Sequence, residues 1–181
     1  VIKLADDPDY DQTKFEEKLE IKGDNDHTKL IAMLNDLNDY SVPMGEILGK
    51  YFDTENLAYW MAFQLLTGNI DTQSRNMYLY SPTNSDTFYV LDWDNDGMLM
   101  RKECDIKQRS DGKSWENGIS NYWGNMLFSR CLQTKSFRTV LDKAIKDEYK
   151  YMNANRINSM VKHYRSITEQ YVWKKIGRAS C

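Results

Sequence analysis

Two segments rich in aromatic and β-branched residues, 76–80 and 87–91, flank a polar stretch at 81–86. This pattern predicts an antiparallel β-hairpin with a polar turn. A hairpin is a strong constraint on the fold, because it brings the residues before its first strand beside the residues after its second strand. Side chains that are distant in sequence are therefore expected to meet at its open end.

The residues at that open end predict a phosphoryl-transfer and metal site. Asp71 and Asn76 precede the hairpin, and Asp94 follows it within Leu-Asp-Trp-Asp-Asn-Asp-Gly. Protein kinases place an aspartate and then an asparagine in one loop, and a metal-binding aspartate after the next hairpin, because these groups must converge on one phosphate cluster. Asp71 would accept or orient the substrate hydroxyl. Asn76 and Asp94 would hold Mg²⁺ through oxygen ligands, which suit a hard cation.

Length and composition limit the class of protein. The chain has 181 residues, enough for one ordinary domain, and 41% hydrophobic residues supply its core. Its net charge of −3 offers no attraction to nucleic acid, and no stretch reaches the ~18 apolar residues of a membrane span. Cys104, Cys131 and Cys181 lack the paired spacing of a zinc site, and three reduced thiols fit better than one disulfide and a free thiol.

Apolar spacing predicts a mostly α-helical chain around the hairpin, and thus an α+β fold. The clearest helix spans about 54–66, with an aspartate or threonine cap before it and Gly68 as its stop, and it leads directly to Asp71. Residues 101–124 contain several glycines and predict a long irregular segment. Further helices are predicted from Thr28, after Pro43, and near 125–133, 136–149 and 155–173.

The residues around the hairpin resemble the spore-coat protein H (CotH) kinase family. The resemblance rests on Gly-Asn-Ile-Asp at 68–71, Asn-Met-Tyr-Leu-Tyr at 76–80 and Phe-Tyr-Val-Leu-Asp-Trp-Asp-Asn-Asp-Gly at 88–97, and it extends over 52–66 and 115–127. Members are atypical protein kinases that phosphorylate secreted or coat proteins. The resemblance implies ATP with Mg²⁺ or Mn²⁺ as cofactors, a protein substrate and an extracytoplasmic location, whether secreted, at the cell surface or in a spore coat.

The resemblance also implies roles for particular residues. Asp71 matches the catalytic-loop aspartate, Asn76 the metal-binding asparagine and Asp94 the metal-binding aspartate. Asp96 matches the second acid of the family's Trp-Asp-x-Asp element. The family usually has proline where this chain has Asp92, and this departure places an extra carboxylate beside the metal.

The implied architecture is an atypical protein-kinase-like large lobe over 27–173, with 1–26 as a polar lead-in of the same domain and 174–181 as a tail. A kinase also needs a glycine-rich cover and a lysine on the ATP phosphates. Nothing before Asp71 supplies them, since the segment 45–50 lacks the spacing of a P-loop. We therefore expect the chain to be the large-lobe part of a longer protein and to be inactive alone.

The acidic segment, residues 92–97, also fits a calcium loop. Its three aspartates and its glycine match an EF-hand loop, with Glu103 at the closing position. An EF-hand loop is entered from a helix, whereas residues 87–91 predict a strand, so the kinase-type site is preferred. The alternative is a non-enzymatic surface or adhesion module with a structural Ca²⁺. Ca²⁺ is also a candidate for the kinase metal position.

Several other residues favour structural roles. Trp60 and Trp93 are expected in the core, as most large aromatic side chains are. His27 and His163 have no evident catalytic partner in sequence. Arg75 lies in the predicted loop, where a solvated surface role is at least as favoured as a phosphate contact.

Overall fold

A computed structural model describes residues 7–19, 23, 25–69, 72, 75–98, 122 and 125–176. In these ranges the chain is mostly helical with a small two-stranded antiparallel sheet, as predicted. The helices are α1 Gln12–Glu16, α2 Thr28–Asn38, α3 Met44–Tyr51, α4 Thr54–Thr67, α5 Met126–Gln133, α6 Lys135–Tyr151 and α7 Ala154–Ile176, and the strands are β1 Met77–Tyr80 and β2 Tyr89–Asp92.

Helix α4 lies at the centre of the core. Its N-cap is Asp53, whose carboxylate accepts a hydrogen bond from the Asn56 backbone N–H at 2.8 Å. Gly68 ends the helix in the left-handed conformation at φ 63, which glycine adopts without steric cost. The helix packs against both α6 and β2. Both ends of α4 thus follow the signals in the sequence. Its buried residues are Leu57, Ala58, Trp60, Met61, Ala62, Gln64 and Thr67.

The predicted hairpin is present, with Met77 opposite Asp92 and Tyr80 opposite Tyr89. Two side chains of α4 contact its second strand, Gln64 at Asp92 and Asn56 at Val90. Asn56 accepts a hydrogen bond from the Val90 backbone N–H at 2.7 Å, and its amide donates to the Val90 carbonyl at 3.3 Å. The open end of the hairpin is therefore held beside the C-terminal half of α4.

The turn of the hairpin is closed by a lysine from α2. Lys29 donates from Nζ to Ser81 Oγ at 3.1 Å and to the Pro82 carbonyl at 2.9 Å, and also to the carbonyl of Ser85. One ammonium group thus satisfies several acceptors of a turn that has few backbone hydrogen bonds of its own.

A buried cation joins α5 to the end of α2. Arg130 is 6% exposed, and its guanidinium donates to the carbonyls of Leu37, Asp39 and Val42. Its centre also lies 5.1 Å from the Tyr40 ring. The carbonyls at a helix C-terminus carry partial negative charge, so they compensate the positive charge of this guanidinium.

Helix α7 extends beyond its predicted end, through Ile176, and so includes the start of the predicted tail. The rest of that tail lies outside the described residues. Apolar side chains along α7 are exposed, among them Tyr164 and Ile167. Among the helices that the structure describes, none is long and apolar enough to cross a membrane. The assignment of 1–26, 27–173 and 174–181 as lead-in, lobe and tail stays a prediction.

Candidate functional site

The hairpin brings together the residues on either side of it. Asn76 directly precedes β1, and Asp94 lies shortly after β2, whose last residue Asp92 pairs with Met77. Asp96 follows within a short 3-10 helix, residues 95–97. Asp71, the predicted catalytic aspartate, lies outside the described residues. Its role therefore stays a prediction.

Two of the predicted metal ligands have an unusual backbone conformation. Asn76 has φ 57, and Asp94 has φ 53 with ψ 63. Within the described ranges these are the non-glycine residues with positive φ. Asparagine and aspartate tolerate the left-handed region better than other residues with a side chain, and such conformations occur at turns and are concentrated at functional sites. The conformation thus occurs at two of the three predicted ligands, the third being Asp96.

The three carboxylates of the acidic segment differ in their contacts with the rest of the protein. Asp94 and Asp96 are exposed. Asp92 is an exposed residue whose carboxylate nevertheless faces the protein, because its Oδ1 accepts a hydrogen bond from Gln64 Nε2 at 2.8 Å. Burial raises the pKa of Asp92 more than this hydrogen bond lowers it. Burial raises the pKa of Glu148 on α6, and repulsion from the Asp92 carboxylate raises it further.

Buried amides connect the acidic segment to the end of α4. Asn95 Oδ1 accepts from Asn69 Nδ2 at 3.1 Å and from Gln64 Nε2 at 3.4 Å. Gln64 and Asn69 are each 1% exposed, and Thr67 and Thr72 beside them are also buried. Gln64 Oε1 has no hydrogen-bond partner among the described residues. Gln64 has no role in the sequence analysis, and the available signal was a lone amide among the apolar residues of α4.

The predicted metal ligands are all oxygen donors. Asn76 offers an amide oxygen, and Asp94 and Asp96 offer exposed carboxylates, which are the hard oxygen donors that Mg²⁺, Mn²⁺ and Ca²⁺ prefer. This chemistry fits the implied metal. Among described residues, no group of three or more acidic, histidine or cysteine side chains is placed to hold a metal ion. A loop built on all three aspartates is therefore not formed, and Glu103 lies outside the described residues.

The strand before the acidic segment also bears on the calcium alternative. The segment is entered from β2, as predicted, and not from a helix. Asp92, the first position of an EF-hand loop, belongs to that strand and is engaged by Gln64. Both observations count against the helix-loop-helix version of a calcium site.

The two tryptophans near the site differ. Trp60 is buried and stacks on Phe128 at 5.5 Å between ring centroids, which confirms the expected core role. Trp93 is 55% exposed and touches the edge of Tyr78 at 5.3 Å, so the expectation of a core role was wrong. Strand alternation explains this, since Trp93 continues the outer face that carries Leu91, which is also exposed.

The two histidines and Cys131 show no link to this site among the described residues. His27 is 4.0 Å from Glu16, and His163 is exposed on α7. Cys131 is fully buried, and burial raises the pKa of its thiol, which makes it an unreactive core residue. Cys104 and Cys181 lie outside the described residues, and Arg75 is exposed.

Comparison with known protein families matches residues 1–180 to the family described as CotH kinase protein. This match covers essentially the whole chain and confirms the resemblance. The chain belongs to the CotH kinase family. Searches of curated proteins and of solved structures find no match.

Proposed function

We propose that this protein is an atypical protein kinase that transfers the γ-phosphoryl group of ATP to Ser or Thr hydroxyls of a protein substrate. Membership of the CotH kinase family carries the proposal. One observation at the site supports it. Asn76, before the first strand of the hairpin, and Asp94, after its second strand, both have a left-handed backbone conformation. The helical body around this hairpin would correspond to a kinase large lobe.

In this proposal each residue has a separate task. Asp71 accepts or orients the proton of the substrate hydroxyl, which raises the nucleophilicity of that oxygen. Asn76 and Asp94 bind the divalent cation, and Asp96 assists them. The cation, when bound, offsets negative charge on the transferred phosphoryl group. Asp92 is not assigned as a ligand here, since one of its carboxylate oxygens, Oδ1, accepts a hydrogen bond from Gln64.

The exposure of the acidic side chains agrees with such a role. Asp94 and Asp96 are accessible to a metal-nucleotide complex that arrives from solvent. By extension from the family, the substrate is a secreted or coat protein and the protein acts outside the cytoplasm. No nucleic acid partner is proposed, since the net charge is −3.

The test is calorimetric titration of Mg²⁺, Mn²⁺ and Ca²⁺ into the full chain, with and without ATP. The variants are Asn76→Ala, Asp94→Asn and Glu103→Gln. Asn84→Ala is the matched control, because Asn84 is an exposed asparagine in the hairpin turn. We expect ATP to strengthen Mg²⁺ or Mn²⁺ binding, and Asn76→Ala and Asp94→Asn to abolish it.

Two results would contradict the proposal. One is Ca²⁺ binding that ignores ATP and is lost in Glu103→Gln, since this would identify a structural calcium module. The other is full activity in Asp71→Asn, a variant that should keep the circular dichroism spectrum and the metal binding of the wild type. If the wild type transfers ³²P from ATP to a Ser/Thr-rich peptide and Asp71→Asn does so equally well, Asp71 is not the base.

A further inference from the structure

The end of α4 and the acidic segment are joined by a side-chain contact that the proposed catalytic roles do not use. We propose that Asn95, held by Gln64 and Asn69, is a positioning residue that fixes the backbone on which Asp94 and Asp96 present their carboxylates to a divalent cation. The inference rests on the proposed function, because it concerns the same cation site.

The contact is buried on the α4 side. Asn95 Oδ1 accepts hydrogen bonds from Asn69 Nδ2 and Gln64 Nε2, and both donor residues are 1% exposed. Gln64 Nε2 also donates to Asp92 Oδ1 at 2.8 Å, so the shorter contact, from Asn69, is the main tie to Asn95. Breaking a hydrogen bond from a buried amide is unfavourable. Asn95 is therefore tied to α4 although it lies in a connecting segment.

The two donors belong to a well-defined structure. Gln64 lies in the last turn of α4, and its carbonyl accepts a hydrogen bond from the Asn69 backbone N–H at 3.0 Å across the Gly68 cap. This cap geometry is set by the left-handed conformation of Gly68. Gln64 and Asn69 therefore keep a fixed separation, and their hydrogen bonds hold Asn95 in place relative to α4.

The position of Asn95 in the sequence gives the contact its proposed effect. It lies between Asp94 and Asp96, and its carbonyl accepts from the Met98 backbone N–H at 3.2 Å to close the short turn. The left-handed conformation of Asp94 is unfavourable in isolation. An anchored neighbour stabilises it, so both carboxylates are held in place before a cation arrives.

The experiment is titration of Mn²⁺ into the full chain, well below the unfolding temperature. Asn95→Ala should weaken Mn²⁺ binding about 10- to 100-fold, as the loss of groups that orient metal ligands usually does. Asn69→Ala should have a similar effect. The double variant should be no weaker than the stronger single variant, because both changes break one contact. Asn84→Ala, in the hairpin turn, should bind like the wild type.

A second readout needs no metal. Amide hydrogen exchange of Met98 should be faster in Asn95→Ala and in Asn69→Ala than in the wild type, while exchange in α6 stays unchanged. This separates a local effect on the acidic segment from general destabilisation.

The outcomes distinguish the two proposals. If Asp94→Asn abolishes Mn²⁺ binding but Asn95→Ala and Asn69→Ala bind within twofold of the wild type, the positioning role is wrong and the metal site stands. If the double variant loses Mn²⁺ affinity by the product of the two single losses, Asn95 and Asn69 act separately, and their contact does not position the carboxylates. If Mn²⁺ binding is indifferent to Asp94→Asn, the metal site and the positioning role both fail.

Discussion

The buried guanidinium of Arg130 should be a major contributor to the stability of the helical body. The change Arg130→Met keeps much of the side-chain volume and removes the donor from the carbonyls at the end of α2. Because the charge itself is removed, no unpaired buried cation remains, and the cost comes from the acceptors. Leu37 and Val42 would each lose a hydrogen bond to a charged group.

The magnitude follows from those two acceptors. A buried acceptor without a partner costs about 1–3 kcal/mol, so the two together cost about 2–6 kcal/mol. Because Val42 is only half-buried, we expect about 3 kcal/mol, in the lower part of that range. Arg130→Lys keeps the charge but not the fork that reaches several carbonyls, and we expect about half of that loss. The unfolding free energy of single domains is about 5–15 kcal/mol, which makes either change easy to detect.

The assay is urea unfolding followed by circular dichroism. With a slope of about 2 kcal/mol per molar urea, Arg130→Met should lower the midpoint by about 1.5 M. The control is Arg165→Met, which removes an exposed arginine from α7 and should change stability by less than about 0.5 kcal/mol. If Arg130→Met costs no more than this control, the guanidinium does not hold the end of α2.

Other changes test the core, the pH dependence and the hairpin. Leu141→Ala removes a fully buried side chain of α6 and should cost about 2–5 kcal/mol by urea unfolding. Hydrogen bonds from Lys50 and Tyr51 lower the pKa of Asp36 below 3.8, so its stabilising effect is present above that pH and lost below it. Asp36→Asn should therefore be less stable than wild type at pH 7, and the difference in unfolding free energy should narrow as the pH falls below 3.8; a constant difference would contradict this. Lys29→Met should speed amide exchange in the hairpin turn, and unchanged exchange would show that its ammonium group is dispensable there.

The elements that sequence predicted well are those set by local signals. Asp53 and Gly68 mark both ends of α4, and the polar stretch between two β-rich segments marks the hairpin. These signals act over a few residues and do not depend on the rest of the fold. The long segment at 101–124 lies outside the described residues apart from Tyr122, so that prediction is not tested.

The features that sequence missed depend on contacts between distant residues. The role of Gln64 requires Asp92 and Asn95 to lie beside it, and no pattern within α4 reports that. The exposure of Trp93 likewise depends on which face of the hairpin is covered by α4. Composition favours burial of tryptophan on average, and the pairing of the strands decides the individual case.

The acidic segment shows why a short motif can mislead until its backbone is known. Residues 92–97 resemble a calcium loop in their spacing, with aspartates at alternate positions followed by a glycine. The extended conformation ends after Asp92, because Asp94 is left-handed and a 3-10 turn follows. All three aspartates are exposed, but Asp92 Oδ1 accepts a hydrogen bond from Gln64. One carboxylate is thus tied to α4 from the strand, while the other two lie on a turn that Asn95 joins to the end of that helix.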